Sequence, residues 1–370
     1  MRYNTSMQIN TDWEFNKATA LAYWWRLKST LAVILGVFFV SLIGAVWYGY
    51  NNPVLYESQS VKEGMVEGEK LEGYLYFSAI DIQDKYSDTN VFAYDFATGR
   101  ISAVTNSGSY YDFSIFTLNG IKGALFNTFG PNTNQEGENE IVPALMDMET
   151  GEFRYLNVTA GWHETALTFN SNLFFIAFAR QPEFYSQRDE SGDISTWEVI
   201  IHSPAVGREL QIKKAFYPVW DPNSDDIFYL RKDGIYRYDI KKRAEQIVYE
   251  APEELNANSE LTASKDGRLW LTLPSGGYEV LKIARDTTDV VYKEATPSDG
   301  RYYMSAVLSP QESFYAITKR DKVFQAGSRT IIEFRDAKSH NIIETLEPDG
   351  FAPNSLYLED WSLLEATVNF

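Results

Sequence analysis

The sequence contains no cysteine. Disulfides, thiolate nucleophiles, cysteine-ligated zinc and a lipid-modified cysteine anchor are therefore excluded. Histidine is nearly absent as well. His163, His202 and His340 stand apart, in what read as three different repeats, without H-x-H or E-x-x-H spacing, so a histidine-built zinc site finds no support. Basic residues are outnumbered, 33 Lys plus Arg against 51 Asp plus Glu, for a net charge of −18. Phosphate binding needs clustered Lys and Arg, so that field argues against nucleic acid as a partner. The nucleophile pattern G-x-S-x-G is missing, and so is any long amphipathic helical period. From these absences no residue is singled out as catalytic, cofactor-binding or metal-ligating, no cofactor is implied, and the expectation is a protein that is not an enzyme.

Long uncharged apolar runs are lacking too, with one exception. Leu31–Tyr50 reads LAVILGVFFVSLIGAVWYGY, without a single charge. As a helix rising about 1.5 Å per residue it would span roughly 30 Å, the hydrocarbon thickness of a bilayer. The sequence therefore predicts one transmembrane helix over 29–50. Arg26 and Lys28 stand just before it, whereas Glu57, Lys62, Glu63, Glu67 and Glu69 follow it. Cytoplasmic flanks are rich in Lys and Arg, which places the N-terminus inside and the large C-terminal domain outside. The run is too long for a cleaved signal peptide, and GAVWYGYNN lacks a small-residue cleavage pattern. It reads as a single-pass signal anchor in the cell membrane.

Four segments follow from that placement. Residues 1–28 form an amphiphilic head in which Trp13, Trp24 and Trp25 mix with Lys17, Arg26 and Lys28. Indole rings suit the headgroup layer, so the head is an interfacial anchor or a docking surface for another membrane subunit. Residues 29–50 are the crossing, 51–71 a solvated linker without apolar periodicity, and 72–370 the outer domain.

The outer domain repeats itself. One unit is a turn followed by an aromatic–aliphatic strand: TLNGIKGALFNTF (Thr117–Phe129), TFNSNLFFIAF (Thr168–Phe178), WDPNSDDIFYL (Trp220–Leu230), ASKDGRLWLTL (Ala263–Leu273) and LSPQESFYAIT (Leu308–Thr318). A second unit is a strand, a tight turn and a strand. It appears as VFAYDFATGRISAVT (Val91–Thr105), ALMDMETGEFRYL (Ala144–Leu156), YRYDIKKRAEQIVY (Tyr236–Tyr249) and IIEFRDAKSHNIIETL (Ile331–Leu346), with weaker copies at Val199–Ile212 and Glu279–Tyr292. Asp95 and Asp147 each open D-x-x-T-G, and Asp239 and Asp336 hold the same place in later copies. Aspartate accepts from turn amides and glycine supplies a positive φ, so the motif closes a hairpin. Quinoprotein repeats also carry D-x-x-T-G, but with a tryptophan soon after the turn, and neither copy here has one.

These two units resemble the repeats of TolB-like, WD-repeat-like β-propellers, over about Glu72 to Phe370. The resemblance implies an all-β propeller. Six copies of the second unit, at the spacing of four-stranded blades, give six blades; counting first-unit strands with both termini gives seven. The first blade begins one strand short at Tyr74–Ile80, while Leu356–Trp361 and Leu363–Phe370 offer strand material at the far end. A C-terminal strand is thus expected to close the ring.

Two acidic stretches, DIQDKYSD (Asp81–Asp88) and DPNSDD (Asp221–Asp226), could in principle supply oxygen ligands for calcium, but neither has EF-hand spacing and both read as solvated turns. Pro182–Thr196 and Gly130–Glu140 are polar insertions, expected to be exposed loops and candidate contact surfaces. The resulting expectation is a membrane-anchored, extracytoplasmic propeller that binds other membrane or envelope proteins. The alternative is a carbohydrate- or peptide-binding or -hydrolysing propeller using its central funnel. Several carboxylates, arginine and aromatics converging at one funnel mouth would mark the alternative.

Overall fold

The strands follow from the repeat units. The computed structural model describes residues 58–62, 70–82, 89–105, 110–118, 121–133, 139–156, 162–170, 175–182, 193–203, 207–284, 287–321, 329–352 and 355–366. The chain divides into Met1–Val54 and Leu55–Phe370, and the description below concerns the second unit. The expected head and crossing helix lie outside the described residues. Among the described residues no helix is long and apolar enough to cross a membrane.

A first strand, β1 (Ser58–Lys62), precedes the blades. Blade 1 holds β2 (Tyr74–Ile80), β3 (Thr89–Asp95) and β4 (Arg100–Ala103); blade 2 holds β5 (Tyr110–Leu118), β6 (Ile121–Thr133), β7 (Asn139–Asp147) and β8 (Phe153–Tyr155). Blade 3 is β9 (Trp162–Phe169), β10 (Ile176–Pro182), β11 (Glu198–Ser203) and β12 (Arg208–Lys213); blade 4 is β13 (Phe216–Trp220), β14 (Ile227–Arg231), β15 (Gly234–Asp239) and β16 (Ala244–Glu250). Blade 5 is β17 (Leu261–Ala263), β18 (Arg268–Thr272), β19 (Tyr278–Ile283) and β20 (Thr288–Glu294). Blade 6 is β21 (Arg301–Leu308), β22 (Phe314–Asp321), β23 (Thr330–Asp336) and β24 (Ile342–Pro348), and β25 (Tyr357–Ser362) ends the series.

Every blade is built on four antiparallel strands, and one sheet of the six carries a fifth at its edge. The domain is a six-bladed β-propeller, which settles the count against seven. As expected, β25 supplies the missing strand of blade 1, in the order β25-β2-β3-β4. It pairs with β2 from Tyr74↔Ser362 to Ser78↔Tyr357. The stretch expected as a linker is not wholly linker. Its Ser58–Lys62 pairs antiparallel with β24, so blade 6 has five strands.

The second repeat unit is the outer hairpin of each blade, and its turn chemistry explains the motif. Asp95 accepts from the Ala97 N–H at 2.8 Å and from the Thr98 hydroxyl at 2.7 Å, while Gly99 takes φ of 68°. Asp147 accepts from the main-chain N–H groups of Glu149 (2.8 Å) and Thr150 (3.1 Å), with Gly151 at 74°. Where glycine is replaced, the left-handed conformation persists: Arg243 has φ of 54° and His340 of 61°.

Apolar side chains fill the wedges between blades. Leu75, Phe77, Phe92, Ile332, Phe334, Leu346 and Trp361 pack blade 1 against blade 6 across the closure. Tyr76, Phe113, Phe126 and Met146 join blades 1 and 2. At about 25 cal/mol per Å² of apolar surface, such wedges supply most of the drive to close the ring.

Four antiparallel strands per blade make every first strand run in the same direction. Accordingly β25, β5, β9, β13, β17 and β21 neighbour one another in a closed circuit around the axis. The same parity sorts the connections. Those between second and third strands share the face at which the innermost strands begin. Three of them have eight residues or more (81–88, 183–197 and 322–329), in blades 1, 3 and 6. The opposite face carries turns such as 221–226 and 264–267.

Candidate functional site: the carboxyl ring of the central channel

The innermost strands are not regular. Register shifts interrupt β5 between Tyr111 and Ser114, β21 between Tyr303 and Ala306, and the pairing of β25 at Glu359. Others interrupt β9 around Ala166 and β13 between Phe216 and Val219. Bulges of this kind re-aim side chains, here toward the axis. Three bulge residues hold left-handed conformations without being glycine: Asp112 (φ 53°), Ala166 (φ 53°) and Tyr217 (φ 47°). Such strain persists only where the surroundings impose it, and it gathers at functional sites.

The result is a channel cavity of about 820 Å³ whose lining includes Asp112, Glu164, Tyr217, Glu260, Glu359 and Asp360. Oδ2 of Asp112 accepts from Asn127 Nδ2 at 2.7 Å and from the Thr165 hydroxyl at 3.4 Å. Oε2 of Glu359 accepts from the Phe113 N–H at 2.9 Å. Oε2 of Glu260 accepts from the Tyr217 hydroxyl at 3.2 Å. Asp360 accepts from the N–H groups of Ile115 (2.9 Å) and Trp361 (2.7 Å).

Burial raises the proton affinity of all these acids. It pushes Glu260 up to about 7, against the pull of Arg320, and Asp360 up to about 6 despite its amide donors. Burial, then the neighbouring Asp112 charge, holds Glu359 well above the usual carboxylate range. Asp112 is raised by burial in spite of its hydrogen bonds. Tyr217 is raised first by burial and then by the charges of Glu260, Asp112 and Glu359, so it remains a phenol that donates.

Glu164 differs from these acids. It is 0% exposed, and neither carboxylate oxygen receives a hydrogen bond from a described residue. Burial raises it to about 9, against the attraction of Arg180. Arg180 is engaged elsewhere, with Glu198 at 2.8 Å and Glu209 at 4.0 Å, and lies over the Trp162 ring at 4.5 Å. The other nearby cation, Arg320, lies between the rings of Tyr357 (4.8 Å) and Tyr302 (5.2 Å) and donates to the Tyr302 hydroxyl at 2.8 Å.

Asp112 and Glu359 are third in their strands, Asp360 is fourth, and Glu260 directly precedes its own. The ring therefore sits toward the mouth that opens on the face with the long connections. Arginine, tyrosine and several carboxyl groups converge there, which is the pattern set out above as the mark of a ligand-binding funnel.

Other expected positions fare differently. Asp221 is a turn residue paired with Arg237 at 3.3 Å, and Asp226 pairs with the same guanidinium at 2.7 Å. Among the described residues no group of three or more acidic or histidine side chains could hold a metal ion. Of Asp81–Asp88, residues 83–88 lie outside the described residues, as do 183–192 and 134–138 of the two insertions. The end of the first insertion is packed rather than exposed. Asp193 caps a 3-10 turn over Ile194–Thr196, and Ile194 is wholly buried beside Trp197 and Phe216. The histidines depart from expectation. His163 and His202 fall in one blade, not two, with His202 buried near Glu209 at 3.8 Å. His340 is buried in its turn, stacked on Tyr292 at 4.1 Å, and burial lowers it to about 4.

Fold and channel together define a six-bladed propeller with an acidic, ligand-sized axial cavity. Among solved structures it is similar to TolB from Acinetobacter baumannii (13% identity, 78% of this chain and 67% of that one, TM-score 0.53). It is also similar to a chain of a nidogen/laminin complex (10%, 77% and 97%, 0.51) and to an oligogalacturonate lyase from Vibrio parahaemolyticus (11%, 79% and 86%, 0.46). At these identities the likeness is one of fold. No protein-family model and no curated protein matches the sequence.

Proposed function

We propose that this chain is a membrane-anchored propeller that works by binding rather than catalysis, as a protein-interaction subunit or accessory of a membrane or envelope assembly. The observation that carries it is the clustering of the long connections on one face of the ring. The uncharged run Leu31–Tyr50 and its basic N-terminal flank supply the anchor and put the propeller outside the cytoplasm. Extraction of the full-length protein from its native membrane in mild detergent, with mass spectrometry of what accompanies it, tests this. A stoichiometric set of membrane partners is expected. A monomer that survives gentle extraction and crosslinking alone would count against it.

A second reading is favoured by the carboxyl ring: the channel takes a ligand, a carbohydrate or peptide in the broad sense, at the mouth lined by Asp112, Glu260 and Glu359. Binding of such a probe by the wild-type chain, lost in Glu260→Gln, would establish it.

A further inference from the structure

We propose that β1 is a releasable latch on the closing seam of the ring, fastening blade 6 to blade 1 at the outer rim as β25 does near the axis. Two successive strands carry the argument. β1 (Ser58–Lys62) forms the outer edge of blade 6, whereas β2 (Tyr74–Ile80) belongs to blade 1. The chain between them therefore passes from the last blade to the first. At the other end it passes from β24 in blade 6 to β25 in blade 1. Each end of the domain is thus paired into the blade that the opposite end builds. Among the described residues the other five sheets have four strands, so the fifth strand is no part of the repeat.

Its place in the chain gives β1 an effect beyond covering an edge. Within blade 1, β25 and β2 are held together by pairing and packing, and by chain they are linked only the long way round the ring. If that ladder opens while β1 stays on β24, blades 6 and 1 remain tethered through residues 63–73, a span of at most about 40 Å. A short tether keeps the parted edges at high effective concentration, and closing a short loop costs less entropy than closing a long one. The seam then recloses readily. The end of the tether is pinned as well. Gly73 packs too closely on the Ser362 carbonyl for a side chain to fit. The Glu72 carbonyl accepts from Trp361 Nε1 at 2.8 Å, and the Glu72 side chain accepts from Gln311 Nε2 of blade 6.

Release is built into the same arrangement. Among the described residues β1 has one neighbouring strand and five residue pairs, from Ser58↔Pro348 to Lys62↔Glu344. A short outermost strand of this kind opens before the inner ones do. Whatever strips it off loosens the seam and bares the β24 edge together.

The absence of cysteine allows a direct test. Val61 and Thr345 are register partners, as are Gln59 and Glu347. In the full-length chain in detergent, Val61→Cys with Thr345→Cys (or Gln59→Cys with Glu347→Cys) is oxidised to hold β1 on β24. A site for a sequence-specific protease, inserted between Glu67 and Gly68, then lets the tether be cut after folding with β1 still in place. Hydrogen exchange read by mass spectrometry compares the cut and uncut protein. Cutting should speed exchange in β2 and β25 at least tenfold and leave β14 and β15 of blade 4 unchanged. The variant Ser60→Pro with Val61→Pro, checked for folding by circular dichroism, should show the same pattern without cysteines, since successive prolines remove one N–H of each strand parity. Unchanged exchange in β2 and β25 after cutting would make β1 an edge cover and overturn the latch. An equal rise in every blade would also overturn it, as a loss of the whole fold. So would disulfides that join two chains, which would assign β1 to a second copy, or failure of both cysteine pairs to link.

Discussion

The main-chain N–H of Phe113 donates to Oε2 of Glu359 at 2.9 Å, joining two residues 246 positions apart in sequence. Two residues on, the N–H of Ile115 donates to Asp360. The closing strand is thus paired with β2 on one side and tied to β5 on the other. Its acids serve the seam and the channel at once.

The seam should be the ring's most sensitive point. Trp361 is buried, stacks on Phe96 at 4.9 Å, and donates from Nε1 to the Glu72 carbonyl at 2.8 Å. Trp361→Ala should cost about 3–5 kcal/mol, the range for large aromatic truncations in a core. Urea unfolding followed by tryptophan fluorescence measures it. A loss under about 1 kcal/mol would mean that β25 is not needed to hold the ring shut.

The channel acids make stability depend on pH. A carboxyl whose folded pKa exceeds its unfolded value contributes stability below the unfolded value, and that contribution is lost as pH rises through the folded one. Glu260 at about 7 and Glu164 at about 9 place the loss on the alkaline side. His340, lowered to about 4, acts oppositely as pH falls below its ordinary 6.5. Between about pH 6.5 and 9 the acids act alone, and the melting temperature should fall steadily. Glu260→Gln and Glu164→Gln should each flatten the slope. A wild-type melting temperature that is level or rising across this window would refute the assignment.

Turn chemistry gives a stabilising change. Arg243 holds φ of 54° at the position where Asp95 and Asp147 hairpins place glycine. A side-chain-bearing residue there costs roughly 1–2 kcal/mol. Arg243→Gly should recover about 1 kcal/mol by chemical denaturation, whereas Gly151→Ala should lose about as much.

Arg335 tests the wedge between blades 5 and 6. It pairs with Glu333 at 2.6 Å, both side chains almost fully buried, and donates to the Tyr303 hydroxyl at 3.0 Å. Arg335→Ala strands the Glu333 carboxylate and should cost about 3–5 kcal/mol. The pair Arg335→Met with Glu333→Gln should recover most of that loss in a double-mutant cycle.

The sequence carried the architecture better than the site. Hairpin chemistry is local, so Asp95, Asp147, Asp239 and Asp336 announce the outer strands even where glycine is lost. The missing first strand pointed to β25 by simple count. The channel ring left no comparable trace. Asp112, Glu260 and Glu359 stand in unrelated contexts (YDF, SEL and LED, the last with Asp360 beside it), brought together only by closure. The one usable signal is an acid inside an otherwise apolar innermost strand. The strand in the expected linker was missed because SQSVK alternates no apolar residues and depends on the open edge of β24.

Ring closure by the last strand also sets an order of events during synthesis. Tyr74 is made early, but its partner Ser362 leaves the ribosome almost three hundred residues later. At roughly 5–20 residues per second, the inner edge of β2 waits on the order of tens of seconds without its neighbour. Over that interval the nascent chain exposes an unpaired hydrogen-bonding edge, and a truncated product exposes it permanently. The cell must shield the newborn protein until its final residues arrive.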